Sequence, residues 1–144
     1  LGHFREWDEK RELDWNLLEY PAHREFHDFM KALSRFYLEH PALSEMDYDR
    51  KGFEWLECGA EEKCVYAFER RSEKERILAV FNYSGEEQEF ELRINDSREL
   101  KKVFSSEYKG YRGAEEKRSK AVKIKKDSCS FRLKSFSAEY YIIE

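Results

Sequence analysis

The sequence has no long apolar run, no excess of one charge, no internal repeat and few cysteines. Each absence narrows what the chain can be. No stretch approaches the ~20 apolar residues that a membrane helix needs, and the opening residues lack the charged-then-apolar pattern of a secretory leader. Basic and acidic residues number 27 and 31, a net charge of −4. That balance favours solubility and gives no field for gripping nucleic acid or an anionic membrane. The three cysteines, Cys58, Cys64 and Cys129, are odd in number and scattered. They read as reduced, partly buried thiols of a cytoplasmic protein. Cys58 and Cys64 have no histidine at zinc-site spacing, so neither a metal nor another cofactor is expected. Two full catalytic domains are excluded as well, because 144 residues make one domain of ordinary size.

What is present is a ring-rich core and a change of period along the chain. Hydrophobic residues make up 40% and aromatics 16%, enough for a packed interior that leans on rings. In PAHREFHDFMKALSRFYLEH, residues 21–40, Phe26, Phe29, Met30, Leu33, Phe36 and Tyr37 recur at helical spacing. Pro21 suits a first helical turn, where its missing N–H costs nothing, and His40-Pro41 supplies the stop. A helix over 21–40 is predicted. After Pro41 the period becomes that of strands, predicted at 53–57, 64–71, 76–83, 87–94, 100–105, 121–125, 130–134 and 138–143. ILAVFNY, residues 77–83, is apolar nearly throughout and is expected to be a central strand covered on both faces. Eight short strands with little helix between them predict an antiparallel β-sandwich. Residues 107–120, with Gly110, Gly113 and many charges, are expected to form a long mobile loop. The lysines of 117–126 read as a solvated edge.

One helix and an unpatterned opening segment thus precede a sandwich able to bury its own core. Six large side chains at ~1.5–3 kcal/mol each are too much apolar surface to leave in water. The stripe from Phe26 to Tyr37 is therefore expected to fold onto the sandwich or to pair with a second copy of the chain.

A run of landmarks carries a family resemblance. These are Glu6-Trp7, Leu13-Asp14-Trp15 followed by Leu17-Leu18, Phe36-Tyr37 at the helix end, His40-Pro41-Ala42-Leu43, and Gly52-Phe53-Glu54-Trp55. In this order they resemble the C-terminal part of bacterial 1,4-α-glucan (glycogen) branching enzymes, of the α-amylase-like glycoside hydrolase superfamily. The likeness covers almost the whole chain, is most specific between Phe4 and Glu57 and weakens past Glu107. It implies that residues 1–48 end a catalytic (β/α)₈ barrel, with 1–19 its last loop and 21–40 its last helix. Residues 49–144 would then be the C-terminal all-β sandwich domain. The opening LGHFREWDEKRELDW, which starts on Leu1 rather than Met, would be an internal loop at the barrel mouth.

The resemblance also implies the chemistry of the parent, a retaining transfer on α-glucan or glycogen. An aspartate opens an α-1,4 link to a covalent glycosyl-enzyme, and a glutamate serves as acid and then base. A second aspartate stabilises the transition state, and a 6-hydroxyl accepts the chain. No position of this sequence matches the motifs of those carboxylates, so the chain alone is expected to be inactive.

Trp7 and Trp15 are the candidate substrate-binding residues, as a platform for glucose rings at the barrel mouth, set against a plain packing role. Many relatives carry Trp-Asn-His where this chain has Trp7-Asp8-Glu9, which removes an expected polar contact at residue 8. Trp55, beside Phe53, is expected to pack in the core. His23 and His27 stand four apart on the helix without a third ligand and read as solvated or barrel-facing. Two alternatives stay open: a free-standing carbohydrate-binding or interaction module, with Tyr66, Tyr108 and Tyr111 as candidate ligand aromatics, or a related debranching or hydrolytic enzyme.

Overall fold

The structure is a computed structural model describing residues 1–57, 62–117, 121–124 and 127–144; Cys58 and the predicted strand end at Lys125 lie outside these residues. Helix α1 spans Pro21–Glu39, with Pro21 at its first position and His40 leaving it in an extended conformation. Eight strands follow: β1 Phe53–Glu57, β2 Val65–Arg71, β3 Arg76–Asn82, β4 Gln88–Arg93, β5 Glu99–Ser105, β6 Ala121–Lys123, β7 Ser128–Leu133 and β8 Ser137–Ile143. The predicted elements all appear, with ends shifted by one or two residues.

Among the described residues these strands pair antiparallel. Six strands form one sheet in the order β1-β2-β3-β8-β5-β6, and β4 with β7 forms a second, two-stranded sheet. Between the sheets lies the main core. Ala67, Leu78, Val80, Leu100, Tyr141 and Ile143 of the large sheet meet Leu92, Cys129, Phe131 and Leu133 of the small one. Phe90 and Phe131 stack as cross-strand neighbours at 5.5 Å, and Phe131 sets its ring edgewise to Tyr141 at 5.5 Å. Strand β3 is the central strand expected: Ile77, Leu78, Ala79 and Val80 are all fully buried. Its covering has two sources, the small sheet on one face and α1 with the Ala42-Leu43 turn on the other.

The second core is the contact of α1 with the outer face of the large sheet. Phe36, 6% exposed, meets Phe104 at 5.1 Å and Tyr140 at 5.2 Å, and Phe29 meets Phe104 and Tyr111. The helix end is pinned to the β2–β3 turn by Glu75, which accepts from His40 Nδ1 at 2.7 Å and from the Ala42 backbone N–H at 3.3 Å.

Two expectations are corrected here. Residues 107–117 are folded rather than a mobile loop: Tyr108 is 4% exposed, a bridge pairs Tyr108 with Glu115, and Lys109–Tyr111 makes a short 3-10 turn. Gly113 is fixed by sterics, since a Cβ there would lie 2.0 Å from the Glu107 carbonyl carbon. Residues 118–120 lie outside the described set. The second correction concerns Trp55, which is 52% exposed rather than in the core. Its strand alternation puts Leu56, not Trp55, against the inner core.

Candidate interaction surfaces

Three surfaces carry the groups able to meet a partner or ligand. The first is the N-terminal segment with the helix beneath it. Arg5 ties the segment together, donating to Asp14 Oδ1 at 2.8 Å and to the Glu12 carbonyl at 3.2 Å. His23 Nδ1 donates to the Leu1 carbonyl at 2.7 Å, and the Arg24 guanidinium donates to the Leu18 carbonyl at 2.9 Å. These bonds strap the segment to the first turns of α1. They leave Trp7 82% and Trp15 59% exposed, and among the described residues neither ring has an aromatic partner. His23 is thus engaged by the backbone, while His27 stands half-exposed 3.9 Å from Asp28.

The helix divides its apolar stripe between two directions. Phe29, Ala32, Leu33 and Phe36 pack on the sheet. Met30 and Tyr37 lie further round the helix and remain exposed, and Phe26, also exposed, lines a cleft with Phe29 and Tyr111. A single predicted stripe is thus two faces, only one of them satisfied by the sandwich.

The second surface is a row of rings on the outer face of the large sheet. Cross-strand register places Trp55 beside Phe68, Phe68 beside Ala79, Ala79 beside Tyr140, and Tyr140 beside Phe104. A parallel row places Tyr66 beside Phe81, and Phe81 beside Ala138. Helix α1 covers the Tyr140–Phe104 half, and burial pushes the Tyr140 phenol up to about 12 with a further contribution from Tyr83. Towards β1 the face is only partly covered: Phe53, Trp55 and Tyr83 are exposed, while Ala42 and Leu43, just past α1, pack with Ile77 on β3. Of the three tyrosines considered as ligand aromatics, Tyr108 is buried, Tyr111 packs on Phe29 and Phe104, and only Tyr66 belongs to this open face.

The third is a polar cleft of about 690 Å³ between β6 and β7, floored by Lys102, Glu139 and Tyr141. Lys102 Nζ lies 2.6 Å from Glu139 and 3.1 Å from Glu115, and the Tyr141 hydroxyl donates to Glu139. Burial alone would lower the Lys102 ammonium, but the two carboxylates outweigh it and hold it above its ordinary value. Burial, with Glu139 beside it, raises the Tyr141 phenol. At the rim Arg132 and Lys134 pair with Glu87. Lys102, Arg132 and Lys134 are thus each paired with a carboxylate of the cleft. A comparable pair sits at the opposite sheet edge, where Glu69, 1% exposed, accepts from Arg76 and Arg71. Burial works to raise that carboxyl, but the two guanidiniums prevail and hold it below the ordinary carboxylate range. Among the described residues no group of three or more His, Cys, Asp or Glu is placed to hold a metal.

Sequence reading missed the ring rows and the buried pairs. The rows had a signal: Tyr66 and Phe68 on one strand, and Phe81 and Tyr83 on the next, repeat at period two on the phase opposite to the inner core. Lys102 and Glu139 had none, because a charged residue in an alternating strand reads as solvent-facing.

These features define a class: an all-β sandwich module, capped by one helix, that carries apolar surface beyond what its own core uses. The chain belongs to the family described as the alpha amylase C-terminal all-beta domain, which matches residues 55–144. It is 35% identical over 143 residues to a 1,4-alpha-glucan branching enzyme of Butyrivibrio fibrisolvens, covering 97% of this chain and 22% of that protein. It is 44% identical over 86 residues to the branching enzyme of Aquifex aeolicus, covering 58% of this chain and 14% of that one. The chain thus spans about a fifth or less of the relatives it matches. Among solved structures it resembles AmyP E221Q in complex with maltotriose, at TM-score 0.65 and 15% identity over 85% of this chain and 21% of that one. It also resembles trehalulose synthase MutB from Pseudomonas mesoacidophila, at TM-score 0.58 and 21% identity over 92% of this chain and 21% of that one. At these identities the structures establish the fold alone.

Proposed function

We propose that this chain is the C-terminal part of a cytoplasmic glycogen branching enzyme, and that its work there is structural. The observation that carries the reading is the 35% identity to a named branching enzyme over 97% of the chain. In the parent, residues 1–48 end the catalytic barrel and residues 49–144 form the C-domain. The barrel's carboxylates cut an α-1,4 link and pass the chain to a 6-hydroxyl, making an α-1,6 branch. The sandwich shields apolar barrel surface and holds the last helix in place.

The geometry supports this division. Met30 and Tyr37 offer the barrel an apolar face of α1 that the sandwich leaves exposed. Trp7 and Trp15 project from the segment ahead of α1, and an indole presented in this way packs well on the apolar face of a glucose ring. They form the rim of the glucan site in the parent, while the reacting carboxylates lie outside this chain. Incubation of the chain alone with amylose is expected to give no new α-1,6 links, whereas the full-length polypeptide gives them. New branches from the chain alone would overturn the assignment.

A further inference from the structure

The first two turns of α1 are gripped from two sides. On one side His23 and Arg24 hold the N-terminal segment. His23 Nδ1 donates to the Leu1 carbonyl, and the Arg24 guanidinium donates to the Leu18 and Glu19 carbonyls at 2.9 and 3.3 Å. The latter two carbonyls belong to the 3-10 turn Trp15–Glu19, whose first residue is an exposed indole. On the other side Glu25 and Phe29 meet residues 107–117. Tyr111 sets its ring edgewise to Phe29 at 5.4 Å, and Arg112 Nε lies 2.9 Å from Glu25 Oε2. Helix positions two apart are rotated by ~200°, so His23 and Glu25 project from nearly opposite sides of α1.

Residues 107–117 form a strap rooted at both ends in the sandwich. At its start the Ser106 N–H donates to the Ala138 carbonyl at 2.9 Å, and the Ala138 N–H donates to Ser106 Oγ at 3.0 Å. At its far end Glu115 accepts from Lys102 at 3.1 Å, and the Glu115 N–H donates to the Glu107 carbonyl at 2.7 Å. Between these roots the Lys109 N–H donates to the Glu115 carbonyl at 2.8 Å, and buried Tyr108 sets its ring against Phe104. Arg112 is held at φ +68°, a left-handed conformation that a bulky residue seldom adopts without cause, and from there it reaches Glu25. A strap tied at so many points has one position, and it imposes that position on the helix turns it touches.

We infer that Tyr111 and Arg112 are positioning residues for glucan binding: by seating the first two turns of α1 they set where the Trp15 turn stands at the glucan site. The inference rests on the reading that places Trp7 and Trp15 on the rim of that site. It gives the sandwich a part in substrate affinity, which shielding apolar barrel surface does not require. Because the two residues act through α1 and Trp15 and not on the reacting bond, their effect falls on KM and leaves kcat in place.

The test is a double-mutant cycle in the full-length polypeptide, with branching of amylose as the readout. Tyr111→Ala is expected to raise KM about threefold or more and to leave kcat within about a factor of two. Tyr111→Phe, which keeps the ring on Phe29, is expected to keep the parent's KM. In a Trp15→Ala background Tyr111→Ala is expected to add nothing further. An unchanged KM in Tyr111→Ala, a fall in kcat beyond that range, or effects of the two substitutions that simply multiply would overturn the inference. Trp15→Ala alone reports the broader reading separately. If it raises KM and Tyr111→Ala does not, the rim stands and the positioning role falls. If it leaves KM unchanged, the rim role of Trp15 falls and the inference with it. Where circular dichroism shows that Tyr111→Ala does not fold, Arg112→Gly takes its place with the same expected split between KM and kcat. Glycine adopts the left-handed backbone without strain, so that change removes only the side chain beside Glu25.

Discussion

The two faces of the six-stranded sheet differ in how they are closed. The inner face is sealed by β4 and β7, and its residues from Ala67 to Ile143 are buried almost completely by this chain alone. The outer face is closed only where α1 and the Ala42-Leu43 turn after it lie, and large rings stand in solvent beside them. The chain thus supplies one whole core and half of another. The complete core makes the sandwich fold; the half core makes it a component, because exposed rings of this size seldom go unpaired in a finished protein.

Substitutions across the two faces should separate these roles. The largest effect is expected from Phe131→Ala, which empties a site between the sheets and should cost about 3–5 kcal/mol in a urea titration. Phe36→Ala on the outer face should cost somewhat less, roughly 2–4 kcal/mol, because its neighbours Phe29, Leu33 and Tyr140 are themselves only partly buried and can shift into the space. Its distinguishing sign is local: hydrogen exchange should quicken in α1 before it quickens in β3. Equal quickening of both would mean that the two cores act as one.

The charged pairs give a pH signature on each side of neutrality. Glu69 is held below its unfolded value of ~4.3, so its pairing stabilises fully above that pH and is lost as pH falls through the folded value. Lys102 is held above its unfolded value of ~10.4, so its contribution is complete below that pH and is lost as pH rises through the folded value. Glu69→Gln should cost about 1–3 kcal/mol at pH 7 and flatten the acid limb of the urea midpoint against pH. An unchanged acid limb would show that the pair contributes nothing to acid sensitivity. The smallest effect belongs to Trp7→Ala, expected to lie within about 0.5 kcal/mol in this chain, since the ring touches no core. In the full-length enzyme the same change should lower branching of amylose; no change there would remove Trp7 from the glucan rim.

Much of this was legible from the residues. The α1 boundaries followed from Pro21 and Pro41 and from the spacing of six apolar side chains. The strands followed from alternation, and burial of β3 on both faces from its unbroken apolar run. The errors share one cause. Trp55 was assigned to the core, and residues 107–117 to a mobile loop, because composition records how apolar a segment is and not which neighbour it meets. Tyr108 is buried because Phe104 and Tyr111 lie beside it, and no local pattern announces that.

The opening tryptophans show where the boundary lies. The sequence by itself determined the elements, their order and the family, because period and turn chemistry act over a few residues at a time. Only the tertiary structure decided which rings were left over. Exposure of Trp7, Trp15 and Trp55 depends on strand register, on where α1 lands and on how far one helix reaches across six strands. Those are properties of packing between distant segments, set by the widths of helices and sheets rather than by the local identity of any residue.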